Sequence, residues 1–192
     1  MKKVILLAVA VFAMMTAQAQ RHVEFKWHRW YGVAGYDFST NINKTRFEDK
    51  ATFHGVYAIG GWQIRKESGV GLGVEFLKDP TGAFNQLPVF IELRSHYFRS
   101  QLTPYTSVSV GYSIPLGSSS GGENAIKIKT GGAIWGVNVG ARYAITRTFA
   151  VSAFVGYQGI FMGSVERKFE GILANNGPLL LHNLKAGVGF NF

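Results

Sequence analysis

Between Ser68 and Leu77 the sequence alternates strictly. Val70, Leu72, Val74 and Phe76 take every second position, and Gly71, Gly73 and Glu75 fill the places between them. Successive side chains of a β-strand point to opposite faces, so this period describes a strand with one apolar face and one small or polar face. The same alternation returns four times. Leu87, Val89, Ile91 and Leu93 stand against Phe90, Glu92 and Arg94, and Val108, Val110, Tyr112 and Ile114 stand against Ser107, Ser109, Gly111 and Ser113. Trp135, Val137, Val139, Ala141 and Tyr143 oppose Gly136, Asn138, Gly140 and Arg142, while Phe149, Val151, Ala153, Val155 and Tyr157 oppose Ala150, Ser152, Phe154, Gly156 and Gln158. The chain ends on LKAGVGFNF, in which Leu184, Ala186, Val188, Phe190 and Phe192 share one face with no polar tail behind them.

Eight strands follow from this pattern, over residues 25–38, 52–65, 69–78, 86–98, 103–115, 132–145, 148–160 and 180–192. Their connections alternate in length. Lys66-Glu67-Ser68, Arg99-Ser100-Gln101 and Thr146-Arg147 are tight turns, whereas 39–51, 78–85, 116–131 and 161–179 are longer polar loops rich in breakers such as GSSSGGEN. Short turns at one end and long loops at the other describe an antiparallel up-and-down sheet with both termini at the short-turn end. The first two strands are the least regular, and Gly60-Gly61 has the composition of a bulge that would switch the faces.

The decisive question is which face points outward. A soluble barrel would turn the apolar face inward and leave a water-facing surface of Gly, Ser, Ala and Asn. That is a weak solvated surface, and charged residues make up only 16% of this chain, against about 25% in soluble domains. A membrane barrel reverses the assignment: lipid meets the apolar face, small and polar side chains fill an interior too narrow for large ones everywhere, and closure leaves no free strand edge in lipid. The sequence therefore predicts an all-β, eight-stranded antiparallel up-and-down transmembrane β-barrel. Aromatic residues gather near the strand ends, as the girdles of such barrels require. Trp27, Trp62, Tyr97, Tyr105, Tyr143, Phe149, Phe190 and Phe192 fall at the short-turn end, and Tyr36, Phe53, Phe76, Tyr112, Trp135 and Tyr157 at the long-loop end.

The N-terminus fits an exported protein. Lys2 and Lys3 precede an apolar run from Val4 to Met15 and the small-residue site Ala17-Gln18-Ala19. This is a secretory signal pattern, too short for the roughly 20 residues of a spanning helix. It predicts a signal peptide over 1–19 and one barrel domain over 20–192. With no Cys, no disulfide or thiolate metal site holds the exported domain. The formal charge of +9, to which Lys2 and Lys3 contribute two, suits lipid or lipopolysaccharide phosphates; nucleic acid is a poor partner for an exported chain.

Signal pattern, eight strands, long loops at one end and the terminal aromatic together resemble the small outer-membrane β-barrel proteins of the OmpA transmembrane-domain and OmpX type. The resemblance implies residence in the outer membrane of a Gram-negative bacterium. It also implies that the last strand, here Val188, Phe190 and Phe192, is the signal for the barrel-assembly machinery. No cofactor is expected.

Inside the barrel the alternation places Glu75, Glu92, Arg94, Arg142 and Lys185. Enclosed charges need partners. A paired network that plugs the interior is preferred over a gate whose pairs exchange, because eight strands leave little lumen. The loops offer Lys44, Arg46, Lys50, Arg167 and Lys168 as surface-contact residues. The five histidines, His22, His28, His54, His96 and His182, have no metal-ligand spacing. Ser95 and His96 near Glu92 are the nearest approach to a Ser/His/acid set, but Ser95 and His96 face opposite sides of a strand. The expected function is structural, with surface contact through the loops, as a monomer without catalytic residues. A narrow gated ion path is the first alternative and a lipid A- or phospholipid-modifying barrel enzyme the second.

Overall fold

The computed structural model describes residues 29–42, 52–65, 67–80, 85–98, 100–116, 126–128, 130–163, 165–169, 172–176 and 179–192. Eight long strands close a barrel. They are β1 (Trp30–Asn41), β2 (Thr52–Gln63), β3 (Ser68–Lys78), β4 (Gln86–His96), β5 (Leu102–Pro115), β7 (Gly132–Ala144), β8 (Ala150–Met162) and β11 (Leu179–Asn191). The order around the barrel is β1-β11-β8-β7-β5-β4-β3-β2, with every pairing antiparallel. This is the up-and-down topology that the alternation predicts. The last strand closes on the first, pairing Val33 with Asn191 and Asn41 with Asn183.

The two ends differ as expected. Tight turns lie between β2 and β3, β4 and β5, and β7 and β8; both ends of the barrel chain, Trp30 and Phe192, lie at that same end. Three short strands are additional to the sequence reading. β6 (Ile126–Ile128), β9 (Val165–Phe169) and β10 (Ile172–Asn176) form a second sheet in the order β10-β9-β6, so the long connections after β5 and β8 pair with each other. Three to five residues are too few to carry a readable alternation, which explains the difference.

The outward face is apolar along its length. Leu72, Ile91, Val108, Val110, Val137, Val139, Val155 and Leu184 are all exposed. An exposed apolar band of this extent around a closed barrel suits lipid and is costly in water. Two girdles flank it. At the short-turn end Trp30 meets Trp62 edge-on with centroids 4.5 Å apart, and Phe149 stacks on Phe190 at 6.0 Å and on Phe192 at 6.4 Å. At the long-loop end Trp135 lies 5.2 Å from Tyr157, Tyr157 is hydrogen-bonded to His182, and Tyr36 is hydrogen-bonded to His54. Two residues assigned to the girdles belong elsewhere: Phe53 is 0% exposed and Tyr105 is 2% exposed, both inside. Each is an odd position in a strand whose even positions face out, so alternation overrides nearness to a strand end. Trp27 lies outside the described residues.

The suspected bulge at Gly60-Gly61 is absent. The ladder runs unbroken through Gly32–Gly60 and Tyr31–Gly61 on one side and Gly60–Leu72 and Gly61–Gly71 on the other. Gly61 leaves room for a ring: a Cβ there would collide with Tyr31. The irregular place is instead between β3 and β4. Pairing stops after Val74–Val89 and resumes at Leu77–Gln86, skipping the positions opposite Pro88, which has no N–H to give.

Candidate functional site in the barrel interior

The interior is filled by large side chains lying over glycines of neighbouring strands. A Cβ at Gly73 would meet the Phe90 ring, one at Gly187 the Phe154 ring, one at Gly140 the Tyr105 ring and one at Gly35 the Tyr57 ring. This pairing of ring and glycine is a packing rule, since two large side chains facing each other would overfill an eight-stranded lumen. Val33, Tyr57, Ile59 and Phe90 form an apolar cluster at mid-height, with Tyr31 and Phe154 packed against it. The Tyr57 hydroxyl donates to the Val188 carbonyl at 3.3 Å, and its ring meets Phe154 edge-on at 6.0 Å.

Two charge clusters flank the rings. Toward the long-loop end, Lys185 on β11 places Nζ 2.7 Å from Glu75 Oε1 on β3 and 3.2 Å from Asp37 Oδ2 on β1. All three side chains are at least nine-tenths buried. Toward the short-turn end, Arg94 bonds Glu92 two residues back on β4, with Nη2 and Nε at 2.8 and 2.9 Å from Oε1. Its guanidinium also donates to Asn191 Oδ1 at 3.3 Å and lies 4.8 Å over the Tyr105 ring. Arg142 on β7 is buried at the same end, at 4% exposure. Neutral hydrogen bonds knit the remaining wall: Ser113 Oγ to Gln86 Oε1 at 2.6 Å, Asn138 Nδ2 to Ser107 Oγ at 3.2 Å, and Asn191 Nδ2 to Ser152 Oγ at 3.0 Å.

The five charged residues singled out in the sequence thus all lie inside, divided between two clusters. Glu75 and Lys185 are brought together, Glu92 and Arg94 are brought together, and Arg142 lies with the second pair at the short-turn end. Sequence reasoning missed Asp37, fully buried beside Lys185. In YGVAGYDF aromatic and small residues alternate less cleanly than elsewhere, and the parity of β1 becomes legible only once its pairing with β2 is fixed. Val188, Phe190 and Phe192 face outward. Arg167 and Lys168 belong to β9. Lys44, Arg46 and Lys50, and the segment 1–28, lie outside the described residues.

Ser95 bonds Ser68 through the hydroxyls at 3.1 Å, while His96 is buried on the inward face with Glu92, so serine and histidine are on opposite sides of β4. Among the described residues no group of three or more His, Cys, Asp or Glu side chains is placed to hold a metal ion.

Comparison with known proteins gives the fold. No protein-family model and no curated protein sequence matches the chain. Solved structures do match. The Neisserial surface protein A, NspA, is 14% identical and superposes with a TM-score of 0.61 over 85% of this chain and 96% of its own. The outer membrane protein OprG of Pseudomonas aeruginosa is 14% identical, with a TM-score of 0.54 over 89% of this chain and 99% of its own.

Proposed function

We propose that this chain, which has the fold of the small eight-stranded outer-membrane barrels, resides in the bacterial outer membrane as a closed barrel and acts through its surface. Its role is structural, and its long-loop end makes contacts outside the cell. The observation that carries this reading is the filled lumen. Tyr57, Phe90 and Phe154 cross the interior at mid-height, and the Lys185–Glu75–Asp37 and Arg94–Glu92 ion pairs stand on either side. The interior cavity lined by Tyr57, Phe90, Glu92, Arg94 and Phe154 has a volume of only about 30 Å³, room for no more than a few waters.

Four further assignments belong to this reading. Residues 1–19 are a signal peptide removed on export. Val188, Phe190 and Phe192 are read by the barrel-assembly machinery during insertion. Lys44, Arg46, Lys50, Arg167 and Lys168 meet lipopolysaccharide phosphates or a ligand on another surface, and the barrel works as a monomer.

A second reading, a narrow gated ion path, is favoured by one observation. Two interior cavities are both lined by Arg94, so rearrangement of the Arg94–Glu92 pair would join them. Single-channel recording in a planar bilayer separates the two readings, with wild type beside Arg142→Ala. A closed barrel leaves the bilayer silent in both proteins, given a folded, heat-modifiable band on the gel. Conductance steps that change with the substitution would overturn it in favour of the ion path.

A further inference from the structure

We propose that the outer rim of the barrel at its short-turn end is a docking surface for the headgroups of anionic glycerophospholipids, such as phosphatidylglycerol. Given residence in the outer membrane with the long loops outside the cell, the proposed reading on which this depends, the short turns face the periplasmic leaflet. Positive charge is concentrated there. Each of the three tight turns carries a formal net charge of +1: Arg65 and Lys66 against Glu67 between β2 and β3, Arg99 between β4 and β5, and Arg147 between β7 and β8. Arg29 adds a further cation just before β1. Residues 20–28 do not reverse the sign, since they hold Arg21 and Lys26 against Glu24. The four long connections, 39–51, 78–85, 116–131 and 161–179, together carry only +2 over many more residues.

The second observation is where these charges stand. Arg29, Arg65 and Arg147 are exposed, and among the described residues none of the three is paired with a carboxylate. Each lies next to an exposed apolar side chain: Arg29 precedes Trp30, Arg65 follows Ile64, and Arg147 is two residues past Ile145. Tyr97 and Phe98, also exposed, come just ahead of Arg99. Main-chain hydrogen bonds fix the positions. Ile64 N and Arg65 N both donate to Ser68 O at 3.0 Å, Ile145 N and Thr146 N to Phe149 O at 3.0 Å, and Gln63 N to Arg29 O at 2.8 Å. The arginines thus stand beside the Trp30–Trp62 and Phe149–Phe190 contacts of the girdle. Girdle rings sit at headgroup depth, so guanidiniums beside them are level with lipid phosphates, which their forked donors fit. Apolar and basic side chains on the same turns suit a headgroup layer, where one meets acyl chain and the other phosphate.

The test uses the protein's own tryptophans. Trp30 and Trp62 report on the short-turn end and Trp135 on the long-loop end. One barrel keeps the first two, with Trp27→Phe and Trp135→Phe; the other keeps Trp135, with Trp27→Phe, Trp30→Phe and Trp62→Phe. Both are refolded into vesicles of phosphatidylglycerol and phosphatidylcholine in which one lipid or the other is brominated, and the heat-modifiable band confirms folding. Bromine quenching then gives the relative affinity of the two lipids at each end. Phosphatidylglycerol is expected to be preferred about fivefold or more at Trp30 and Trp62, the contribution of one cation near an anionic headgroup. The preference is expected to be smaller at Trp135. Arg29→Gln, Arg65→Gln, Lys66→Gln, Arg99→Gln and Arg147→Gln together are expected to abolish it at Trp30 and Trp62. Equal affinity for the two lipids at Trp30 and Trp62 would overturn the proposal and leave the membrane barrel standing. So would a preference that survives the five substitutions, or one equally strong at Trp135. Quenching by neither lipid would contradict the membrane placement itself, and the proposal with it.

Discussion

Lys185 reaches across the lumen from β11 to Glu75 on β3, with Nζ 2.7 Å from Oε1, joining residues 110 positions apart in the chain. Asp37 completes the cluster from β1, at 3.2 Å. The cluster therefore ties together β3 and the two strands at the closing seam, β1 and β11, inside a space that water barely reaches.

Removing the cation alone leaves two buried carboxylates facing each other. Lys185→Met is expected to destabilise the folded barrel by about 3–5 kcal/mol, the cost of breaking a buried ion pair from one side. Removing all three charges together, as Lys185→Met with Asp37→Asn and Glu75→Gln, is expected to recover most of that loss. The folded band on unheated gels, followed against urea concentration, measures both. Equal losses in the single and triple variants would show that the lysine stabilises by packing rather than by charge.

The ring-on-glycine packing makes a contrast between two glycines. A Cβ at Gly187 would lie 2.7 Å from the Phe154 ring and 2.8 Å from Asp37 Cβ, whereas one at Gly60 would meet nothing within 4 Å. Gly187→Ala is expected to cost about 1–3 kcal/mol through overpacking. Gly60→Ala, on the outer face, is expected to stay within about 0.5 kcal/mol. The same urea titration checks both.

A charge on the outer face near mid-strand tests what that face meets. Val137→Arg is expected to cost about 2–4 kcal/mol for a barrel folded in lipid vesicles, because the guanidinium is then near the bilayer midplane. On a water-facing strand the same change would fall within about 0.5 kcal/mol. Refolding into vesicles, with urea midpoints for wild type and variant, separates these values.

The long-loop sheet is separable from the barrel. Met162 and Leu179 are paired at the end of the β8–β11 ladder, so a short turn can replace residues 163–178 without altering the register below. The shortened protein is expected to keep its heat-modifiable fold and its urea midpoint within about 1 kcal/mol, since loop length changes closure entropy slowly. Loss of the folded band would mean that β9 and β10 contribute to the barrel itself.

The strands, their faces and the two unlike ends were legible because lipid on one side and a narrow lumen on the other force a period of two on nearly every strand. Glu75, Glu92, Arg94, Arg142 and Lys185 are interior by that rule alone. Their partners were not legible. Lys185 meets Glu75 and Asp37 across the lumen, through strands that are not all neighbours, and no local pattern encodes such a distance. Phe53 and Tyr105 were misplaced because an aromatic near a strand end suits a girdle and a lumen alike; only parity distinguishes them. The small sheet of β6, β9 and β10 escaped notice because its strands are three to five residues long. The ring-on-glycine rule does leave a trace in the sequence, since Phe90, Phe154 and Tyr57 each share the inward face with glycines of an adjoining strand.

The most direct test of the account is a nitroxide scan along β7, with single cysteines introduced one at a time from position 134 to position 139 in a chain that has no cysteine of its own. The protein is refolded in lipid vesicles, and collision rates with oxygen and with a water-soluble nickel chelate are measured at each label. Labels at 135, 137 and 139 are expected to collide with oxygen and to be shielded from nickel, while those at 134, 136 and 138 are expected to be shielded from both. Nickel collisions at 135, 137 and 139 would put the apolar face in water and contradict the membrane barrel; nickel collisions at the even positions alone would open the lumen and contradict its closure.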